Sequence, residues 1–182
     1  MSVSNLSSLI PYLIEHGERW VAAQRERHRP SGRPLSEKEW KSLGPFFTAN
    51  TLETVVVREV AKIENPDFYE TLAASGQTIP LDFTQMTGIT FIDTVVVAKQ
   101  MLRPGWEQWL YLLFHECVHV CQYRHLGLPS FIAQYVKGWA ANGFSYHAIP
   151  LEAQAYALQD RYQKGEGIFS VEQVVGAELG KT

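Results

Sequence analysis

The chain predicts an α+β fold, and three observations predict it. Runs rich in β-branched residues occur in two places only, 54–60 and 89–98. The sequence around them carries the 3.6-residue apolar period of helices. Between the second strand region and the C-terminal helices, residues 109–120 are apolar on nearly every face, so this segment belongs between other elements rather than on a surface. Strands gathered together and followed by helices give α+β, not an alternating α/β order. A length of 182 residues suits one domain with a real core. With 46% hydrophobic and 19% charged residues, the composition excludes a disordered chain. We expect a single domain over 1–182, with a helix and linker in 1–35 and a compact core over 43–162.

Each element has a local cause. Leu6, Leu9, Ile10, Leu13, Ile14, Trp20 and Val21 follow one helical face, with Pro11 near its start. The Pro30–Pro34 stretch breaks that helix. Ser36-Glu37-Lys38-Glu39 has the form of a capping box and opens a short helix that stops before Pro45. Thr54 to Val60 reads as a strand. Asn65-Pro66 offers a cap and a first-turn proline for a short helix closing at Gly76. Residues 89–92 and 94–98 read as two strands around Asp93, arranged as a hairpin. Pro104 opens the buried helix, and Gly127 and Pro129 end it. A helix from Ser130 to Asn142 closes at Gly143, and another from Pro150 runs to Gly165. Ser170-Val171-Glu172-Gln173 caps a last short helix.

Charge and cysteine use narrow the function. A net charge of −3 gives no general attraction for nucleic acid. The one basic run, Arg25 to Arg29 with Arg33, sits among Pro30, Gly32 and Pro34 and reads as a solvated helix end. No apolar stretch approaches the length of a membrane span, and the N-terminus lacks a basic segment followed by an apolar one. A soluble, cytoplasmic protein is the expectation. Cys117 and Cys121 fall on the helix side opposite His115 and His119, so they read as reduced, packed thiols rather than ligands.

The chemistry lies in His115-Glu116-Cys117-Val118-His119, an H-E-x-x-H on the buried helix. Residues four apart on a helix are about 40° apart around the axis, so both imidazoles leave one face and can share a Zn²⁺. The intervening Glu116 points near the metal without needing to ligate it. A catalytic zinc takes three protein ligands and leaves a position for water. Three residues compete for third place. His125 has metzincin spacing, but Gln122 replaces the glycine that pattern needs, and on a continuing helix His125 would point about 80–120° away. Glu152, in the first turn of the helix after Pro150 and among Ala153, Ala155 and Ala157, suits close packing against the motif helix. His147 is a loop residue that could ligate or donate to an oxyanion. Glu152 is the expected ligand.

Leu43-Gly44-Pro45-Phe46-Phe47, the 55–60 strand, the stretch from His115 to Tyr123 and Pro150-Leu151-Glu152-Ala153-Gln154-Ala155-Tyr156 together resemble the small gluzincin-like metallopeptidases. Among these is the uncharacterised zincin domain found with bacterial extracellular contractile injection systems. The resemblance covers about two-thirds of the chain and rests on H-E-x-x-H-x-x-Q-Y and P-L-E-x-x-A-Y. It implies a zincin-like fold with a short three-stranded sheet beside the active-site helix, and zinc held by His115, His119 and Glu152. Tyr156 stands where many gluzincins carry an acidic residue.

The expected activity is hydrolysis of a peptide or unfolded protein segment, with Glu116 as general base. Tyr156, His147 or Tyr146 would stabilise the oxyanion, and an edge strand from 89–98 would hold the extended substrate. The alternative is a catalytically silent zincin-fold module that binds metal and acts as a binding or regulatory partner.

Overall fold

A computed structural model describes Leu6 and residues 8–180; the expectation made for the first five residues lies outside them. Helix α1 (Ile10–His28) forms where the apolar period predicts it, buries Leu13, Trp20 and Val21, and carries Pro11 in its first turn. A 3-10 turn at Arg29–Ser31 leads into β1 (Arg33–Pro34), which the sequence did not announce. Helix α2 (Glu37–Leu43) starts at the expected capping box: Ser36 accepts from the Glu39 N–H while the Glu39 carboxylate accepts from the Ser36 N–H. One four-residue turn, α3 (Ala49–Leu52), precedes β2 (Val56–Val60). Helix α4 (Phe68–Ala74) is capped by Asp67, not Asn65, whose side chain instead bridges to Asp82 and the Phe83 N–H.

The hairpin of β3 (Gly88–Phe91) and β4 (Thr94–Ala98) is present, paired antiparallel. The sheet has four strands in the order β1-β2-β4-β3, with β2 and β4 parallel, so it is mixed. The resemblance implied three strands. The fourth is β1, which pairs Arg33 with Val57 and Pro34 with Val56 at the sheet edge, the place where a proline's missing N–H is tolerated. At the hairpin turn Ile92 has φ 63°, a strained value for a β-branched residue. Asp93 beside it is clamped by Arg25 (2.8 Å to each carboxylate oxygen) and Arg29 (3.0 Å). Arg27 pairs with Glu64 at 2.6 Å, so these three arginines of the basic run have acidic partners within the chain.

Every residue of β4 is buried, because the sheet is covered on both faces. Val96 and Ala98 join Phe91, Trp20 and Val21 in a core beneath α1. Val95 and Val97 join Leu113, Phe114 and Val118 in a second core beneath α5 (Trp106–Ala141). Phe114 is fully buried, and its truncation to alanine would cost about 3–5 kcal/mol. Helix α5 begins at Trp106, two residues after Pro104, and breaks at Gly127 (φ 72°, ψ 161°) just before Pro129. The two predicted helices are therefore consecutive arms of one kinked element. Cys117 and Cys121 are free and buried in the second core, where burial pushes both thiols up. Helix α6 (Pro150–Gln163) packs along α5, and α7 (Val171–Leu179) closes the fold after its Ser170 cap. Among the described residues no helix is long and apolar enough to cross a membrane.

Candidate metal centre

The first arm of α5 and the first turn of α6 bring His115, His119 and Glu152 together, all buried. The two Nε2 atoms are 3.1 Å apart, and Glu152 Oε2 lies 3.3 Å from His115 Nε2 and 3.4 Å from His119 Nε2. Ligands about 2.0–2.1 Å from a tetrahedral centre stand about 3.3–3.4 Å from one another. The triangle therefore has a size that one tetrahedrally coordinated metal ion could fill. The donor set, two imidazoles and a carboxylate, also suits a transition metal better than calcium or magnesium.

Two of the three residues, His119 and Glu152, are held from behind. Gln122 donates through Nε2 to the Leu151 carbonyl and to Gln154 (2.9 Å each), which leaves its Oε1 to accept from His119 Nδ1 at 2.8 Å. His119 Nδ1 then carries a hydrogen, and Nε2 is the ring nitrogen that faces the site. Tyr135, on the second arm of α5, donates to Glu152 Oε1 at 2.7 Å and fixes the carboxylate so that Oε2 faces the imidazoles. His115 Nδ1 is buried and has no hydrogen-bond partner among the described residues. The placement of α6 depends on Gly138, where a Cβ would stand 2.6 Å from Pro150 Cδ. Any larger residue would push back the helix start that delivers Glu152.

Glu116 leaves the ligand triangle and turns toward β3. The Thr90 hydroxyl donates to its Oε2 at 2.7 Å and lies 3.1 Å from the Glu116 backbone carbonyl. A Cβ at Gly88 would come within 2.7 Å of Glu116 Oε1, so glycine is what lets the strand lie against this carboxylate. Burial raises the Glu116 pKa, although His115, His119 and the Thr90 hydrogen bond oppose the rise. For Glu152, burial acts upward but is outweighed by His119 and His115, and its pKa is lowered. For His119, burial acts downward and is outweighed by Glu152, which brings it to about 9. A metal entering the triangle must therefore displace a proton.

Two cavities meet at the site. An open cleft of about 630 Å³ has His115 and Glu116 in its lining and is bordered by Tyr111, Tyr146, His147 and Tyr156. A smaller apolar cavity of about 100 Å³ reaches Glu116, His119 and Glu152 from the α1 side. Tyr156 places its ring 4.5 Å from the His115 ring, and His147 lies 5.4 Å from Tyr156 on the exposed rim. Burial, aided by Glu152, raises the pKa of both Tyr146 and Tyr156, so both phenols stay protonated. His125 is exposed and lies against α7 near Gly176, away from the triangle. Ala155 is buried as the packing argument required, but Ala153 and Ala157 face solvent, being on the outer side of α6.

Sequence reasoning missed Thr90, Gln122 and Tyr135 as partners of the site. Gln122 carried a signal, since a fully apolar helix seldom buries an amide without a purpose. Thr90 and Tyr135 carried none, because their contacts depend on how the sheet and the kinked helix pack. Compared with protein-family models, curated proteins and solved structures, the chain matches none.

Proposed function

We propose that this protein is a zinc-dependent peptidase built on a minimal zincin-like fold. The observation that carries the reading is the triangle of His115, His119 and Glu152, sized for a tetrahedral ion, with the buried carboxylate of Glu116 beside it. When bound, zinc supplies a Lewis acid that brings the pKa of a water toward about 7 and polarises a carbonyl. Glu116 accepts a proton from water as its oxygen adds to the peptide carbonyl, and returns that proton to the nitrogen as the C–N bond breaks. Its raised pKa suits holding the proton between those steps. Tyr146 and Tyr156, both protonated and beside the cleft, supply donors to the developing oxyanion, with His147 on the rim as a further donor. Among the described residues strand β3 pairs with β4 alone, so its other edge can hold an extended peptide backbone.

The test is Glu116→Gln. It should keep zinc while hydrolysis of unfolded polypeptide falls about 10²–10⁴-fold. Full activity in that variant would remove the mechanism. One observation favours a second reading: the Thr90 hydroxyl already engages Glu116 Oε2. On that reading the protein is a metal-holding module without turnover, and zinc-loaded wild type would cleave nothing in an unfolded-peptide library.

A further inference from the structure

We infer that α1 is the selectivity wall of this site, and that the cavity behind it takes one medium-sized aliphatic side chain of a polypeptide lying in the open cleft. The inference rests on the peptidase reading for what the chain does with that side chain, but not for whether the cavity binds it.

The cavity is walled by Leu13, Gly17 and Trp20 from α1, Ile132 and Val136 from the second arm of α5, and Ile89 from β3. Its inner end is formed by Glu116, His119 and Glu152. The cleft and the cavity share Leu81, Met86, Gly88, Glu116 and Tyr146, so a chain in one can send a side chain into the other beside Glu116. The occupant is thereby placed next to the bond that Glu116 would serve.

Size and charge define that occupant. A volume of about 100 Å³ is below the roughly 150 Å³ of an engineered apolar cavity that accepts a benzene ring. Leucine, isoleucine and methionine side chains suit this space better than an indole. Most of the wall is apolar, so an acidic side chain would lose its hydration there without gaining a partner along it. Gly17 keeps the wall thin: a Cβ there would come 3.2 Å from Ile132 Cγ2. Residues 10–28 fall outside the stretch that resembles gluzincins, so this wall is a feature of this chain's own N-terminal helix.

The experiment separates the cavity from the chemistry. Metal-free wild-type protein is titrated with acetamide, butanamide, 4-methylpentanamide and 3-(indol-3-yl)propanamide, followed by methyl NMR at Ile132 and Val136. Affinity should rise about fourfold per added methylene up to 4-methylpentanamide and drop for the indole. Val136→Phe, which fills the cavity, should abolish the rise. Shifts absent from Ile132 and Val136, or affinity indifferent to chain length, would overturn the inference. The zinc-loaded protein is then given an unfolded-peptide mixture. Cleavage beside leucine, isoleucine or methionine, with aspartate and glutamate excluded there, supports the wall, and cleavage blind to that position overturns it. Amide binding without any cleavage would leave the cavity as a binding site and sink the peptidase reading instead.

Discussion

Glu39 and Glu152 are both buried glutamates in this fold, and their surroundings are opposite. Glu39 is met by donors on every side: Arg33 at 2.7 and 2.8 Å, the Ser36 N–H and hydroxyl at 2.6 and 2.8 Å, and Trp109 Nε1 at 2.7 Å. Burial alone would raise its pKa, yet these partners hold it at about 2. Glu152 accepts from the Tyr135 hydroxyl on one oxygen and turns the other toward two imidazole nitrogens that lie 3.1 Å apart. The first carboxylate is satisfied by the chain and ties β1, α2 and α5 together. The second faces two histidine ring nitrogens, in a buried group that could hold a metal ion. Burial of a carboxylate therefore says little by itself; what faces it separates a structural site from a chemical one.

The comparison can be broken or sharpened by substitution. The largest expected effect is on metal binding: His119→Ala should weaken zinc binding more than a hundredfold, while the metal-free protein keeps its helical circular dichroism. Glu39→Ala should do the reverse. Loss of its charged hydrogen bonds should cost about 2–3 kcal/mol, read as a Tm lower by about 4–12 °C, with zinc stoichiometry unchanged. If Glu39→Ala instead lost zinc, the two regions would not be independent.

Smaller effects probe the partners. Gln122→Leu removes the acceptor that fixes the His119 ring and should lower zinc affinity about 10–100-fold without releasing the metal at saturating concentration. The pH profile of stability should carry the signature of Glu39. Its folded pKa lies below the ordinary 4.5, so its contribution is present above 4.5 and lost as pH falls from there through about 2. Acid unfolding of Glu39→Gln should lack that part of the slope. Least of all, Thr90→Val should leave zinc content intact and shift the acid limb of hydrolysis upward. The lost hydrogen bond is one that holds the Glu116 pKa down.

The legible parts of this fold were those with local causes. The α1 face, the Ser36 capping box, the 94–98 strand and the H-E-x-x-H spacing all follow from neighbours within a few residues. Glu152 was legible because Pro150 announces a helix start and the chain between His119 and Pro150 is long enough to return. Strand β1 was not legible: two residues carry no periodicity, and Pro34 argues against a strand unless its edge position is known. Nor could the sequence order the strands, since β2 and β4 pair in parallel across the α4 region and β3. Thr90 and Tyr135 reach Glu116 and Glu152 only through that tertiary arrangement. The Cys117/Cys121 face and the His115/His119 face separated as helical geometry required.

The most direct test is elemental analysis of zinc after loading and dialysis, for wild type, Glu152→Ala and His125→Ala side by side. The account predicts one zinc per chain in wild type and His125→Ala and none retained in Glu152→Ala. Zinc kept by Glu152→Ala, or wild type that holds none, would contradict it.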